Sequence, residues 1–247
     1  MESDCNRRDA NVLHRFAKSA EALVAQFSLR EQLHITRFGP SVHSLSFVSH
    51  VERLLAARQG ELAVVAAGQP LMRFMQDQNS PVHRWLYESH PERDADYRAI
   101  CQLAVREVIK EPAYAQVMPC YRVGFPGNRW VGCFHRDSDF GHSPAEVNVI
   151  CALTAMAGSA ALQVEDSPGS CCYESLDLKR GELVTFDHID RLHGCKRNRT
   201  GQLVMSIDFR FIPVSLAGLA FSSAATTVNT QMPLLPGAYF SAEPLLP

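Results

Sequence analysis

The chain has 247 residues, of which 46% are hydrophobic and 20% are charged, and its net charge is −2 at pH 7. This length can bury a substantial core, and the composition is typical of a globular protein. There is no Lys/Arg-rich run and no apolar stretch of the ~18 residues that a membrane span needs, so we expect neither a nucleic-acid nor a membrane partner. The polar N-terminal segment lacks the apolar core of a signal peptide, which predicts a cytoplasmic protein.

The first part of the chain, residues 1–115, is predicted to be mostly helical. Ser41 is suited to cap a helix that runs to about residue 58, and a second helix is expected from His90 until Pro112 ends it. Within this mostly helical part, residues 33–38 alternate between apolar and polar side chains, which predicts one short strand before the helix capped by Ser41.

After residue 118 the apolar period becomes that of extended chain, with Gly, Pro, Asp and Asn at the turns. Eight short strands are predicted, over residues 118–124, 129–135, 146–154, 160–165, 172–175, 182–186, 191–195 and 203–212. Their number and even spacing predict a jelly-roll, cupin-like barrel over residues 116–213. No linker divides the chain, so we expect a single domain over 1–247. Residues 214–247 would form a tail or lid on the barrel, and their apolar character favours a homodimer.

Three residues in this region have the spacing of a metal site. His135 and Asp137 are two positions apart, so in a strand they point to the same face. His193 lies 58 positions downstream (193 − 135), far enough for the chain to return with a third ligand. Two histidines and one carboxylate form the facial triad of non-haem Fe(II) oxygenases, which leaves coordination positions open. His142 and Asp139 lie close enough to compete for the metal.

The eight cysteines form no C-x-x-C pair, which argues against a Cys-rich zinc site and favours reduced thiols. Cys133 and Cys195 each lie two residues from a candidate ligand, so thiolate ligation is a secondary alternative.

Four segments in order carry a family resemblance. They are His-Arg-Asp at 135–137, Gly-Glu-Leu-Val-Thr-Phe-Asp at 181–187, Leu-His-Gly-Cys-Lys-Arg-Asn at 192–198, and Ser-Ile-Asp-Phe-Arg at 206–210. Together they resemble the Fe(II)/2-oxoglutarate-dependent dioxygenases, in particular a small bacterial group found in streptomycin-type antibiotic biosynthesis. The resemblance covers residues 118–212. It implies a double-stranded β-helix barrel in which His135, Asp137 and His193 bind iron and 2-oxoglutarate is the cosubstrate.

The distal carboxylate of 2-oxoglutarate would need a cation inside the barrel. Ser206, Asp208 and Arg210 alternate onto one face, and Arg210 is the expected anchor, supported by Ser206. Many relatives have an arginine two residues before the matching serine, where this chain has Val204. Arg197 and Arg199 are therefore alternatives.

The opposite wall offers further candidates for contacts to the cosubstrate. They are Tyr121 or Arg122, together with Asn148 and Thr154. Asn148 and Thr154 share one face of a predicted strand, and a structural role as satisfied barrel polar groups is an equally good interpretation.

The resemblance implies an oxygenase that hydroxylates or oxidatively cyclises a small polar natural product, such as an aminoglycoside intermediate, and releases succinate and CO₂. The presence of Asp137 disfavours halogenation. Asp139, Asp187 and Asp190 cluster near the expected barrel mouth and would favour a cationic, amino-bearing substrate. The alternatives are an amino acid or peptide hydroxylase of the same fold, and a non-catalytic cupin-like module that binds a sugar or a metal.

Overall fold

The computed structural model describes residues 33–68, 79–129, 134–221, 225–227 and 230–247. The predicted helical content before residue 33, Cys133 and most of the predicted strand 129–135 lie outside these residues. In the described part the helices are α1 (Val42–Ala57), α2 (Gln59–Gly68), α3 (Pro81–Glu88), α4 (Asp94–Ala104) and α5 (Ala217–Ala220). The strands are β1 (Thr36–Phe38), β2 (Ala113–Ala115), β3 (Cys120–Gly124), β4 (Val147–Ala152), β5 (Leu162–Glu165), β6 (Tyr173–Leu176), β7 (Leu183–Phe186), β8 (His193–Cys195) and β9 (Val204–Pro213).

These strands form two antiparallel sheets. The larger sheet has the order β1-β7-β4-β9-β2, and β3 pairs with the first half of the long strand β9. The smaller sheet has the order β6-β5-β8. The mostly β architecture with flanking helices and the jelly-roll fold predicted from the sequence are confirmed.

Two apolar cores cover the two faces of the larger sheet. Val147, Val149 and Cys151 of β4 point outward and contact the helices, whereas Ile150 and Ala152 point into the barrel. Strand β9 alternates in the same way, with Met205, Ile207, Phe209 and Phe211 in the outer core. Because both faces are covered, each polar side chain that the alternation places inside the barrel is buried and needs a specific partner.

The helices stabilise the outer face of this sheet. Helix α1 begins where predicted, because the Ser41 hydroxyl accepts a hydrogen bond from the backbone N–H of Ser44 at 3.0 Å and the Ser44 hydroxyl accepts one in return from Ser41. Its buried side chains, among them Phe47 and Val51, contact the outer core. No helix of the described residues is long and apolar enough to cross a membrane.

The structure differs from the predicted boundaries at both ends of the barrel. The predicted helical part also contributes β1, which pairs with β7, and β2, which pairs with the end of β9. The predicted tail contacts β2, since Leu245 forms a bridge with Ala113. That residues 1–247 form one domain stays a prediction.

Candidate metal centre and cavity

The two histidines of the predicted triad face each other across paired backbone segments. The backbone N–H of His135 donates to the carbonyl of His193 at 2.9 Å, and the reverse bond is also 2.9 Å. Asp137 begins a 3₁₀ turn over Asp137–Phe140, and its N–H donates to the carbonyl of His188 at 3.0 Å. Because backbone hydrogen bonds fix all three residues, their side chains converge. Their ligand atoms lie within 4.8 Å of one another, and no other such His, Cys, Asp or Glu group occurs among the described residues.

The side-chain geometry suits one metal ion. Asp137 Oδ1 lies 3.4 Å from Nε2 of His135 and 3.4 Å from Nε2 of His193. Cis ligands of an octahedral ion with bonds of ~2.1 Å are about 3 Å apart, so a small movement would close the three atoms around a cation.

The tautomer of His193 points to the same conclusion. Its Nδ1 lies 3.1 Å from the carbonyl oxygen of Arg191, which can only accept, so Nδ1 carries the proton. In the neutral ring Nε2 then presents a lone pair toward the Asp137 carboxylate. A lone pair facing a carboxylate is unfavourable unless a cation lies between them, and a backbone carbonyl on the distal nitrogen is the usual orienting partner of a metal-bound histidine. The residues present therefore fit a divalent metal.

The Asp137 side chain is a buried charge, since only 3% of the residue is exposed. Burial by itself would raise the pKa of this carboxyl group. The Arg210 guanidinium makes the largest opposing contribution, and the pKa is held well below its usual range. Asp137 is therefore ionised at neutral pH and available as a ligand.

The triad lines a cavity between the two sheets. The walls are formed by residues from both sheets and the loops that join them, namely Arg122, His135, Asp137, Asn148, Ile150, Met156, Leu162, His193, Ser206, Asp208 and Arg210. Asn148 is only 5% exposed. Its side-chain Oδ1 atom has no hydrogen-bond partner. A polar ligand in the cavity would satisfy it.

Arg210 has different partners from those predicted. Its Nη2 donates to Asp137 Oδ2 at 2.7 Å, and its Nη1 donates to Asp208 Oδ2 at 3.3 Å and to the Tyr239 hydroxyl at 3.2 Å. A guanidinium engaged with a triad carboxylate is poorly placed to anchor the far end of a cosubstrate. Arg210 and Ser206 both line the cavity, and their roles in binding the distal carboxylate stay predictions.

Two other predicted cosubstrate residues lie outside the cavity. Tyr121 is on the outer face of β3, where its hydroxyl bonds to His90 Nδ1 at 2.8 Å and to Arg93 Nε at 2.9 Å. The Thr154 hydroxyl accepts from the backbone N–H of Met205 at 2.9 Å, which is a structural role. The neighbour of Tyr121 along the chain, Arg122, faces the cavity because adjacent residues in a strand point to opposite faces.

The remaining alternatives are engaged elsewhere. Arg197 donates to the Gly127 carbonyl, and neither Arg197 nor Arg199 lines the cavity. His142 bonds to Glu146 at 2.8 Å, and Asp139 accepts from the backbone of Arg136 at 3.0 Å, so neither joins the triad. Cys195 is buried in the apolar barrel core and is not part of the metal-capable group.

Three buried residues beside the triad were not anticipated. Glu146 Oε2 lies 3.4 Å from Arg210 Nε, and Tyr239 reaches Arg210 from the tail. His188 is fully buried, with Nε2 at 3.8 Å from Asp137 Oδ2, and burial lowers its pKa to about 3. The spacing of His142 and Glu146 was a usable sign of a local pair, but no sequence pattern indicated that Tyr239 returns to the barrel.

Comparisons with solved structures give weak similarities. A nickel complex of the non-haem monooxygenase ThoJ is 16% identical, with 75% of this chain and 77% of ThoJ covered and a TM-score of 0.44. The α-ketoglutarate-dependent carbocyclase SnoK from nogalamycin biosynthesis is 13% identical, with 75% and 82% covered and a TM-score of 0.45. A Pseudomonas putida prolyl-4-hydroxylase is 11% identical, with 77% and 98% covered and a TM-score of 0.45. These values carry no conclusion about function.

The sequence comparison is stronger. No family model matches the chain. The chain is, however, 32% identical to the streptomycin biosynthesis protein StrG of Streptomyces griseus over 155 residues, which are 63% of this chain and 74% of StrG. This confirms the resemblance to the group found in streptomycin biosynthesis, and the chain belongs to the same family as StrG.

Proposed function

We propose that the protein is an Fe(II)/2-oxoglutarate-dependent oxygenase that hydroxylates or oxidatively cyclises a small polar natural product, such as an aminoglycoside intermediate, with release of succinate and CO₂. The observation that carries this proposal is the convergence of His135, Asp137 and His193 inside the cavity between the sheets. The relationship to a streptomycin biosynthesis protein supports a substrate from antibiotic biosynthesis.

His135, Asp137 and His193 would hold the iron. Bound Fe(II) supplies the redox chemistry with dioxygen and 2-oxoglutarate that such a triad permits by leaving three positions open. The apolar side chains of Ile150, Met156 and Leu162 line the same cavity and would exclude water from the reacting atoms.

We assign the distal carboxylate of 2-oxoglutarate to Arg122 rather than Arg210. Arg122 on β3 lies directly opposite Ser206 on β9, and both line the cavity. A guanidinium with an adjacent hydroxyl is a suitable pair for a carboxylate. Asp208 holds Arg122 in place, with Nε–Oδ1 at 2.6 Å. Asn148 would contribute a further polar contact.

The proposed substrate class follows from the acidic side chains near the triad. Asp139 and Asp190 lie on the segments next to the triad, where the backbone N–H of Asp190 donates to Asp187 at 3.2 Å. A cationic, amino-bearing substrate would complement these carboxylates. Reversing the charge of Asp139 and Asp190 should then raise the KM for substrate, and an unchanged KM would contradict this assignment. The cytoplasmic location and the homodimer remain predictions.

The proposed function can be tested by visible absorption spectroscopy of the protein with Fe(II) and 2-oxoglutarate in the absence of oxygen. Adding Fe(II) and 2-oxoglutarate to the protein should produce a weak visible charge-transfer band, which His193→Ala should abolish and the exposed-residue control His34→Ala should keep. Iron binding without the band would favour a non-catalytic binding module. A band that develops, with turnover only of amino acids or peptides, would favour the hydroxylase alternative.

A further inference from the structure

The two oxygens of the Asp137 carboxylate face different partners. One faces the two histidines of the triad, and the other faces Arg210. Oδ1 faces the two histidines, at 3.4 Å from each Nε2. Oδ2 faces away from them and accepts a hydrogen bond from Arg210 Nη2 at 2.7 Å. The carboxylate thus presents a single oxygen to the metal side of the triad.

Arg210 is itself held from several directions. Its Nη1 lies between Asp208 Oδ2 at 3.3 Å and the Tyr239 hydroxyl at 3.2 Å, and its Nε lies 3.4 Å from Glu146 Oε2. Its side chain is only 5% exposed. A planar guanidinium whose edges face fixed partners cannot swing toward the open cavity without exposing buried carboxylates, so its contact with Asp137 is a fixed feature of the fold.

The division of oxygens has a consequence for coordination. A carboxylate that binds through both oxygens would occupy two positions of the metal, whereas the proposed chemistry needs three positions free for cosubstrate and dioxygen. Partners in the second layer around a metal commonly orient its ligands in this way.

We propose that Arg210 is a positioning residue, which holds Oδ2 of Asp137 so that this carboxylate binds the metal through Oδ1 alone. The proposal rests on the proposed function in so far as it requires a metal at the triad. It replaces the sequence-based role of Arg210 as a cosubstrate anchor.

The test uses the full-length protein with Co(II) as the probe, because Co(II) binding can be followed by titration and its visible spectrum reports coordination number and geometry. Arg210→Gln removes the contact with Oδ2, and Arg210→Lys keeps the positive charge but lacks the guanidinium fork. Both should lower Co(II) affinity about 10- to 100-fold and shift the Co(II) spectrum. Arg180→Gln is the control, since this arginine pairs with Glu52 of α1 at 2.6 Å and has no part in the triad; it should keep the wild-type Co(II) affinity and spectrum.

The outcomes separate this proposal from the proposed function. Failure of the wild-type protein to bind Co(II), or full binding by His193→Ala, would overturn the metal site itself. Wild-type binding combined with an unchanged affinity and spectrum in Arg210→Lys would overturn the positioning role and leave the metal site intact. Circular dichroism checks folding, and if Arg210→Gln does not fold, Arg210→Lys decides the question.

Discussion

The Asp137 side chain shows how one buried carboxylate is kept both charged and oriented. A buried carboxylate alone would take up a proton, but the Arg210 guanidinium on one of its oxygens is the main contribution that keeps its pKa well below the usual range. The same contact engages one edge of the Arg210 guanidinium with the triad rather than with the open cavity. For this reason we propose Arg122, rather than Arg210, as the cation that binds the distal carboxylate of 2-oxoglutarate.

Replacing Arg122 tests that assignment. Arg122→Gln should weaken 2-oxoglutarate binding about 10- to 100-fold, because hydrogen bonds to a charged group contribute about 1.5–3 kcal/mol. The measurement is an anaerobic titration of the charge-transfer band with 2-oxoglutarate. Arg37→Gln is the control, since Arg37 forms an exposed ion pair with Glu174 at 3.4 Å. Equal dissociation constants for Arg122→Gln and the wild-type protein would rule Arg122 out as the anchor.

At the residue scale, the sequence predicted the triad but not the network around it. The spacing of His135 and Asp137, and the return of the chain at His193, were enough to predict that the three side chains converge, since this depends on local geometry and one strand pairing. The choice between Tyr121 and Arg122 depends on which face of β3 meets the helices, which no single strand reveals. Apart from Asp208 on its own strand, the side-chain partners of Arg210 come from three other segments, and their convergence is a property of the tertiary fold.

At the scale of elements, the turn before β7 packs against the start of helix α1. Gly181 in this turn has φ +80°, and a Cβ atom there would lie 2.9 Å from Leu45 Cδ2 and 3.1 Å from Pro40 Cβ. The turn therefore contacts the start of α1 at a distance that only glycine permits.

Gly181→Ala should destabilise the protein more than Gly201→Ala. Gly201 has φ +74° but no atom within 4 Å of its Cβ position, so alanine there costs about 1 kcal/mol for the left-handed backbone alone. At Gly181 overpacking should add about 1–3 kcal/mol. Urea unfolding of the two variants measures the difference. Equal losses of stability would mean that Leu45 and Pro40 move aside without cost.

The elements were predicted unevenly for physical reasons. Helix α1 and most barrel strands were found, because capping and apolar alternation are local patterns. Strand β2 was missed because three residues are too few to show a period, and its pairing with the end of β9 defines it. The alternation before Gly39 was recognised as a strand, but its place at the edge of the larger sheet beside β7 required the three-dimensional structure.

At the scale of the whole molecule, two buried histidines between the helices and the larger sheet make stability depend on pH. Burial, with a smaller contribution from Arg122, lowers the pKa of His83 to about 4. Burial, with a contribution from Arg93, lowers the pKa of His90 to about 4. In the unfolded chain both have the ordinary value near 6.5, so between pH 6.5 and 4 only the unfolded state takes up these protons.

The free energy of unfolding should therefore fall as the pH drops below 6.5. Each histidine should contribute a loss of about 2 kcal/mol between pH 7.5 and 5, with a slope that approaches 1.4 kcal/mol per pH unit below pH 6.5. Urea unfolding of the metal-free protein at pH 7.5 and pH 5 measures it. The His83→Gln/His90→Gln double variant should lose less stability over this range, whereas the exposed-residue control His34→Gln should behave as the wild-type protein. An identical pH dependence in the double variant would contradict the assignment.

The contact between Tyr239 and Arg210 also means that the buried network around Asp137 is completed late in the synthesis of the chain. All three residues of the triad have been synthesised once the ribosome has passed His193, but Tyr239, whose hydroxyl contacts Arg210, is added 46 residues later (239 − 193). A nascent chain stalled between these points would contain all three triad residues but not Tyr239, which contacts the arginine that binds Asp137. The side chains around the proposed metal centre can therefore be complete only after the distal segment has been translated.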